Sequence, residues 1–415
     1  MKTVLGRAKA AEHAIRDLFP ATPLQINDHI SQRFGAEILL KREDLTPVRS
    51  YKIRGAMNAM RKALEMAPEQ RNFVCASAGN HAQGVAYVCR HFGANGTIFM
   101  PVTTPQQKID KTRLFGGDNV RIELTGDYFD ETLASAQEFC ARTGAHFLSP
   151  FDDPDVIEGQ SSVAVELIEA LGKPPDVLIM PVGGGGLSAG VIAYLDELGA
   201  ETEVHLVEPE GGQSLAAALD AGEPVTLDFV DTFVDGAAVA RIGDHPFQVL
   251  RNVPRGRVHA VSEDRLCATI IEMLNVEGIV LEPAGALAVD VLTDLGDSLK
   301  GKTVVVITTG GNFDFERLPE VKERAQRWLG VKKYFILRLP QRPGALRDFL
   351  EMLGPEDDIA RFEYLKKSAR NFGSVLIGIE TTEAANFERL FAAMRAAGLS
   401  YRDITNDDLL SQFLI

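Results

Sequence analysis

Val177-Leu178-Ile179-Met180 is an apolar run of strand length that passes through Pro181-Val182 into Gly183-Gly184-Gly185-Gly186 and on to Leu187. In order, this reads as a strand, a turn without side chains, and a helix reaching Leu198. The same unit recurs upstream. Phe73-Val74-Cys75-Ala76 reads as a strand, Ser77-Ala78-Gly79 as a turn and 80–92 as a helix. Strands at 36–40, 97–101 and 120–124 alternate with helices at 52–66, 108–115 and 129–141. Further strands fall at 204–207, 257–260 and 304–308, with a helix at 263–274. Strands alternating with helices of roughly 10–15 residues predict a mostly parallel α/β sheet. Residues 53–150 form a candidate smaller lobe with its own sheet.

Three stations along this pattern carry chemistry. Lys52, in Ser50-Tyr51-Lys52-Ile53-Arg54-Gly55-Ala56, supplies an amine at a helix start. A lysine there is usually plain surface, and it gains weight only from its company. The Ser77-Ala78-Gly79-Asn80-His81 turn lets backbone approach a ligand, and free helix N–H groups bind a carboxylate. Alone, it is equally an ordinary turn capped by Ser77 or Asn80. Gly183 to Gly186 can hold a phosphate on inward-facing amides at a helix start. It is no Walker loop, because no Lys-Ser/Thr follows, and Glu208 makes a poor ribose partner for a dinucleotide. Its alternative is close packing of strand against helix. Together, an amine, a carboxylate loop and a phosphate loop are the parts of a pyridoxal phosphate site. They fall at one edge of an α/β sheet, where such folds bind ligands.

The 415 residues are enough for two or three domains, and 45% hydrophobic content allows a substantial core. Residues 331–415 hold 12 basic and 12 acidic side chains, so the net charge of −15 lies entirely in the first 330. Such an acidic body argues against nucleic acid and anionic membranes as partners. The first 20 residues carry Lys2, Arg7, Lys9, Glu12, Arg16 and Asp17 and do not read as a secretory signal. No run approaches the ~20 apolar residues of a membrane helix. Cys75, Cys89, Cys140 and Cys267 lack pair spacing, which suits a reducing cytoplasm, and the eight histidines show no metal-ligand spacing. No metal is expected.

A boundary is expected near Trp328-Leu329-Gly330, dividing residues 1–328 from 329–415. Beyond it, 333–339 alternates like a half-buried strand, 345–353 is helical, 359–364 and 373–380 are strands and 387–397 is a helix. This β-α-β-β-α order describes a separate α+β module.

These motifs resemble the fold-type-II pyridoxal phosphate enzymes, whose fold is like that of tryptophan synthase β. The likeness spans Thr22 to Asn312. It includes Thr22-Pro23-Leu24, Leu40-Lys41-Arg42-Glu43-Asp44-Leu45, the three stations, Glu282-Pro283-Ala284-Gly285-Ala286 and Thr309-Gly310-Gly311-Asn312. All are similar to the serine/threonine dehydratase branch. Leu339-Pro340-Gln341-Arg342-Pro343-Gly344-Ala345-Leu346 and Phe362-Glu363-Tyr364-Leu365 resemble the ACT-like regulatory domain of the threonine deaminases, in their short form with one such module.

The resemblance implies pyridoxal 5'-phosphate carried by Lys52, its 3-oxygen held by Asn80 and its phosphate by Gly183, Gly184, Gly185, Gly186 and Leu187. Ser77, Ala78, Gly79, Asn80 and His81 would line the substrate carboxylate site. Thr309 stands where the family usually has serine beside the pyridine nitrogen. The implied reaction turns L-threonine into 2-oxobutanoate and ammonia for isoleucine synthesis. The implied assembly is a cytoplasmic homotetramer inhibited by isoleucine, with valine as a possible antagonist. L-serine is a second substrate candidate, because one methyl group discriminates by only ~1–3 kcal/mol. The competing readings are a serine dehydratase or racemase, and an inactive amino-acid sensor.

Overall fold

The computed structural model describes residues 3–365 and 371–407, so the part of the expected regulatory module beyond 407 lies outside the described residues. The chain divides into two compact units: Met1–Glu263 with Val276–Asp314, and Asp264–Asn275 with Phe315–Ile415.

The strands of the first unit open with β1 (Leu24–Ile26) and β2 (Glu37–Arg42). Then come β3 (Asn72–Ala76), β4 (Asn95–Met100), β5 (Val120–Leu124) and β6 (His146–Phe147). They close with β7 (Val177–Pro181), β8 (Glu203–Pro209), β9 (Val258–Val261) and β10 (Thr303–Thr308). The larger sheet has the order β1-β2-β10-β7-β8-β9, parallel except for the short edge strand β1. The smaller sheet has the order β5-β4-β3-β6 and is wholly parallel. Two α/β lobes are therefore present, as expected.

The central strands are unbroken apolar runs because both faces are covered. Val177, Leu178, Ile179 and Met180 are all fully buried. Leu178 and Met180 pack with Leu187, Val191 and Leu195 of the helix Gly186–Leu198. A second core joins Ile53, Met57 and Met60 of the helix Lys52–Met66 to Val85, Val88 and Cys89 of the helix Asn80–Phe92. Both helices have the limits read from sequence. Cys75, Cys89 and Cys267 are buried, as small apolar residues usually are.

The helices Val4–Ile15, Pro154–Gln160 and Ser162–Leu171 were not anticipated. Two of them carry legible starts. Thr3 accepts a hydrogen bond from the Gly6 N–H, and Asp153 caps a helix with proline in its first turn.

The second unit holds β11 (Lys332–Pro340), β12 (Asp358–Leu365), β13 (Phe372–Glu380) and β14 (Ser400–Asp403) in the order β12-β13-β11-β14, antiparallel throughout. Phe335, Leu337 and Leu339 alternate inward with Val375, Ile377 and Ile379, against Phe349, Phe387, Leu390 and Met394. Helix Ala345–Leu350 stops short of the expected residue 353. Strand β14 was not foreseen, because Ser400-Tyr401-Arg402-Asp403 has no apolar alternation. No helix among the described residues is long and apolar enough to cross a membrane.

Candidate active site

Four parallel strands deliver the site from their C-terminal ends, the usual ligand edge of an α/β sheet. The chain leaves β2 toward Lys52, β3 toward Ser77, β7 toward the glycine tetrad and β10 toward Thr309. Backbone contacts tie the first and last together. The Tyr51 N–H donates to the Thr309 carbonyl at 3.2 Å, and Ser50 bridges Gly310.

Lys52 is the first residue of its helix and half-buried. Its Nζ donates to the Pro150 carbonyl at 2.9 Å and lies 5.5 Å from the Tyr51 ring centre and 5.8 Å from that of Phe151. Burial pushes its pKa down to about 8, against the opposing pull of Glu282. Among the described residues it forms no ion pair.

Phe151 also connects the amine to the tetrad. A Cβ on Gly184 would stand 2.2 Å from its ring, and one on Gly186 3.1 Å from its carbonyl. Gly185 has φ +86°, a left-handed conformation, and opens the helix Gly186–Leu198. The packing explanation of the tetrad is therefore real at these positions. It coexists with the phosphate reading, because side-chain-free backbone at a helix start still offers its amides. The Leu187 side chain lies in the core, so any phosphate contact of this residue is through its N–H.

The Ser77 turn is pinned by Ser77 N–H to Phe99 carbonyl at 3.0 Å and Gly79 N–H to Ser77 Oγ at 3.2 Å. Apart from its own chain neighbours, nothing lies within 4 Å of where a Gly79 Cβ would be, so the turn has an open side. Ala78 is half-buried beside it. Asn80 Nδ2 donates to Glu282 Oε1 at 2.6 Å, and Asn80 Oδ1 accepts from Asn312 Nδ2 at 2.8 Å. The His81 ring is buried, with Nε2 at 2.9 Å from the Leu148 carbonyl. Burial first, then the charge of Lys52, pushes its pKa down to about 3. A ring so held is neutral and structural, which leaves the His81 N–H as its candidate contribution to a carboxylate site. The buried Thr309 Oγ1 donates to the Ala284 carbonyl at 3.3 Å, a long bond that leaves the hydroxyl easy to re-aim.

Three groups were missed by sequence reasoning. Glu282 is buried at the start of the helix Pro283–Asp290, and burial pushes its carboxyl up to about 7, with Asp235 adding to the rise. Its motif was visible, but not its role. The loop around Asp235 to Val239 touches Gly183 through Ala237 and lies near Glu282 through Gly236. Asp235 also pairs with Lys108 of the smaller lobe. Phe151 gave no sequence signal. Glu208, by contrast, caps a helix: its carboxylate accepts from the N–H groups of Leu215 at 2.7 Å and Ala216 at 3.0 Å.

A buried amine of lowered pKa, a side-chain-free cradle at a helix start, a turn with an open side and a hydroxyl with only one long bond fit pyridoxal phosphate. The family model described as "Pyridoxal-phosphate dependent enzyme" matches residues 15–310, and the one described as "C-terminal regulatory domain of Threonine dehydratase" matches 323–414. The fold is that of a fold-type-II pyridoxal-phosphate-dependent enzyme. The chain is 46% identical over 406 residues to the biosynthetic L-threonine dehydratase IlvA of Bacillus subtilis, covering 98% of this chain and 96% of that protein. It is 45% identical over 402 residues to the Corynebacterium glutamicum enzyme of the same name, covering 95% and 91%. A solved structure of processed threonine deaminase isoform 2 from Solanum lycopersicum superposes with a TM-score of 0.72 at 36% identity, over 77% of this chain and 93% of that one. This chain belongs to the biosynthetic threonine dehydratase family, with a catalytic core and an ACT-like regulatory domain.

Proposed function

We propose that Lys52 carries the proton transfer of a threonine ammonia-lyase. L-threonine is dehydrated and deaminated to 2-oxobutanoate and ammonia, the first committed step of isoleucine synthesis. Bound pyridoxal phosphate supplies the electron sink that makes the substrate α-proton acidic. The observation that carries the assignment is the Lys52 amine, buried, without an ion-pair partner among the described residues, and with its pKa pushed down to about 8. Roughly a quarter of such an amine is neutral at pH 7.5 and can accept the α-proton. The Ser77–His81 turn orients the substrate carboxylate through its N–H groups, Gly183 to Leu187 bind the phosphate, Asn80 the 3-oxygen, and the Thr309 hydroxyl the pyridine nitrogen. A neutral hydroxyl there leaves the ring a weak sink, which favours rapid β-elimination over slower exchange chemistry. Loss of the α-proton and the β-hydroxide gives an enamine, which tautomerises and takes up water to release 2-oxobutanoate and ammonia. L-serine is a secondary substrate.

Hydride reduction followed by peptide mapping tests the assignment. The label should fall on Lys52, and Lys52→Ala should lose both label and 2-oxobutanoate production. Label on Lys41 would overturn it.

The reading extends to regulation, with residues 1–328 catalytic and 329–415 regulatory, in a cytoplasmic homotetramer. Isoleucine inhibits and valine antagonises. The support is a cavity of about 320 Å³ in the second unit, lined in part by Arg338, Arg342, Asp348, Phe349, Met352 and Leu399. Guanidinium and carboxylate groups on an apolar wall suit a zwitterion with a branched aliphatic side chain. Inhibition needs a coupling of ~1–3 kcal/mol between this site and Lys52 chemistry. Calorimetry with isoleucine on the wild-type protein and on Arg338→Ala should show binding lost in the variant, and unchanged binding would remove the cavity from the account.

A further inference from the structure

We propose that Glu282 and Asn312 are positioning residues for Asn80, fixing its side-chain amide so that one N–H remains for the cofactor oxygen. The proposal rests on the cofactor reading above. Asn312 Nδ2 lies 2.8 Å from the Val48 carbonyl and 2.8 Å from Asn80 Oδ1. A backbone carbonyl only accepts, so the nitrogen of Asn312 must face Val48, and both its hydrogens are then committed. Asn80 Oδ1 is thereby fixed as the acceptor. Its nitrogen must face Glu282, whose Oε1 accepts at 2.6 Å. Lys111 Nζ, a donor only, stands 3.5 Å from Asn312 Oδ1 and closes the other end. Every amide in this chain therefore has one permitted orientation. Asn80 Nδ2 carries two hydrogens and spends one, leaving the second free for a ligand.

Glu282 is itself held in place. Its N–H donates to the Gly310 carbonyl at 3.1 Å, and a Cβ on Gly310 would stand 2.1 Å from its Oε1. The carboxyl does not cap the helix that it opens, and it forms no ion pair among the described residues. Glu43 and Glu166, also buried, both pair with Arg54. The charged and titratable groups that face Glu282 are Asp235 and Lys108, paired with each other, then Lys111, Lys52 and the phenol of Tyr51. Burial and Asp235 hold the carboxyl near half-protonated at neutral pH. Its charge therefore changes in the working range, and the Asn80 amide carries that change to the cofactor oxygen.

The test has two arms. In the wild-type holoenzyme the cofactor absorbance should show a step near pH 7, and Glu282→Gln, which keeps the shape and the acceptor, should lack that step. Asn312→Ala frees the Asn80 amide to turn and should weaken cofactor affinity about 2- to 10-fold in an equilibrium titration, the loss of one hydrogen bond. A wild-type spectrum flat from about pH 6 to 8.5 would overturn the proposal. So would the same step in Glu282→Gln, or wild-type affinity in Asn312→Ala. Should Glu282→Gln fail to fold by circular dichroism, the Asn312→Ala affinity still decides. Reductive labelling of Lys52 is followed in every protein. Its absence in the wild type would overturn the cofactor reading itself, and with it this proposal.

Discussion

Arg54→Met should destabilise the catalytic unit by about 3–5 kcal/mol, the cost of breaking a buried ion pair by removing one partner. Arg54 is fully buried two residues beyond Lys52. Its Nε lies 2.7 Å from Glu43 Oε2 and its Nη2 2.8 Å from Glu43 Oε1. Nη1 and Nη2 reach the two Glu166 oxygens at 2.6 and 2.9 Å, and Nη1 reaches Ser162 Oγ at 3.0 Å. Methionine fills much of the space but satisfies none of these acceptors. Glu166 keeps Lys41 at 2.5 Å and Arg16, so it stays compensated. Among the described residues the Glu43 carboxylate keeps only the Thr22 hydroxyl, at 2.6 Å, so the cost falls there. Adding Glu43→Gln should therefore restore roughly 1–3 kcal/mol, because the pair is coupled through contact. Urea unfolding followed by circular dichroism at pH 8 measures both effects. A deficit below about 1 kcal/mol, or one that Glu43→Gln does not narrow, would refute the reasoning.

His81 has a folded pKa near 3, so its neutral ring contributes stability that is complete above about pH 6.5 and lost as pH falls toward 3; between pH 7.5 and 5 the loss is ~2 kcal/mol. His81→Gln should lack that slope, and parallel stability-versus-pH curves for the two proteins would contradict it. Gly184→Ala drives a Cβ into the Phe151 ring and should cost ~1–3 kcal/mol by overpacking. Because the same ring covers Lys52, cofactor loading should fall as well, and calorimetry with a cofactor titration reads both. Thr309→Ala should leave the unfolding midpoint nearly unchanged, since its bond to Ala284 is long, yet weaken cofactor binding by ~0.5–1.5 kcal/mol. Unchanged affinity would leave the hydroxyl without a role.

The Ser77 turn and the glycine tetrad were legible because each directly follows its own strand, where glycine and a change of period mark the turn. The helix at 80–92 was legible for the same reason, whereas the helix at 52–66 starts beyond the glycine-free segment 43–51. What closes the site was not legible, because it arrives from far along the chain: Asn80 meets Glu282 across 202 positions. Among the lysines, the resemblance picks out Lys52, and the structure adds a physical reason. Lys41 and Lys52 both stand in motifs of the family, and burial lowers the pKa of both. The structure separates them by what lies at the end of each side chain. Lys41 Nζ meets the Glu166 carboxylate at 2.5 Å and the Thr22 carbonyl at 2.8 Å, so its charge is spent inside a closed network. Lys52 Nζ meets one carbonyl and two ring faces. An amine that must give up its proton and attack an aldehyde needs burial without a counterion, because a carboxylate at contact distance would hold the proton in place. Of the two, only Lys52 meets that condition.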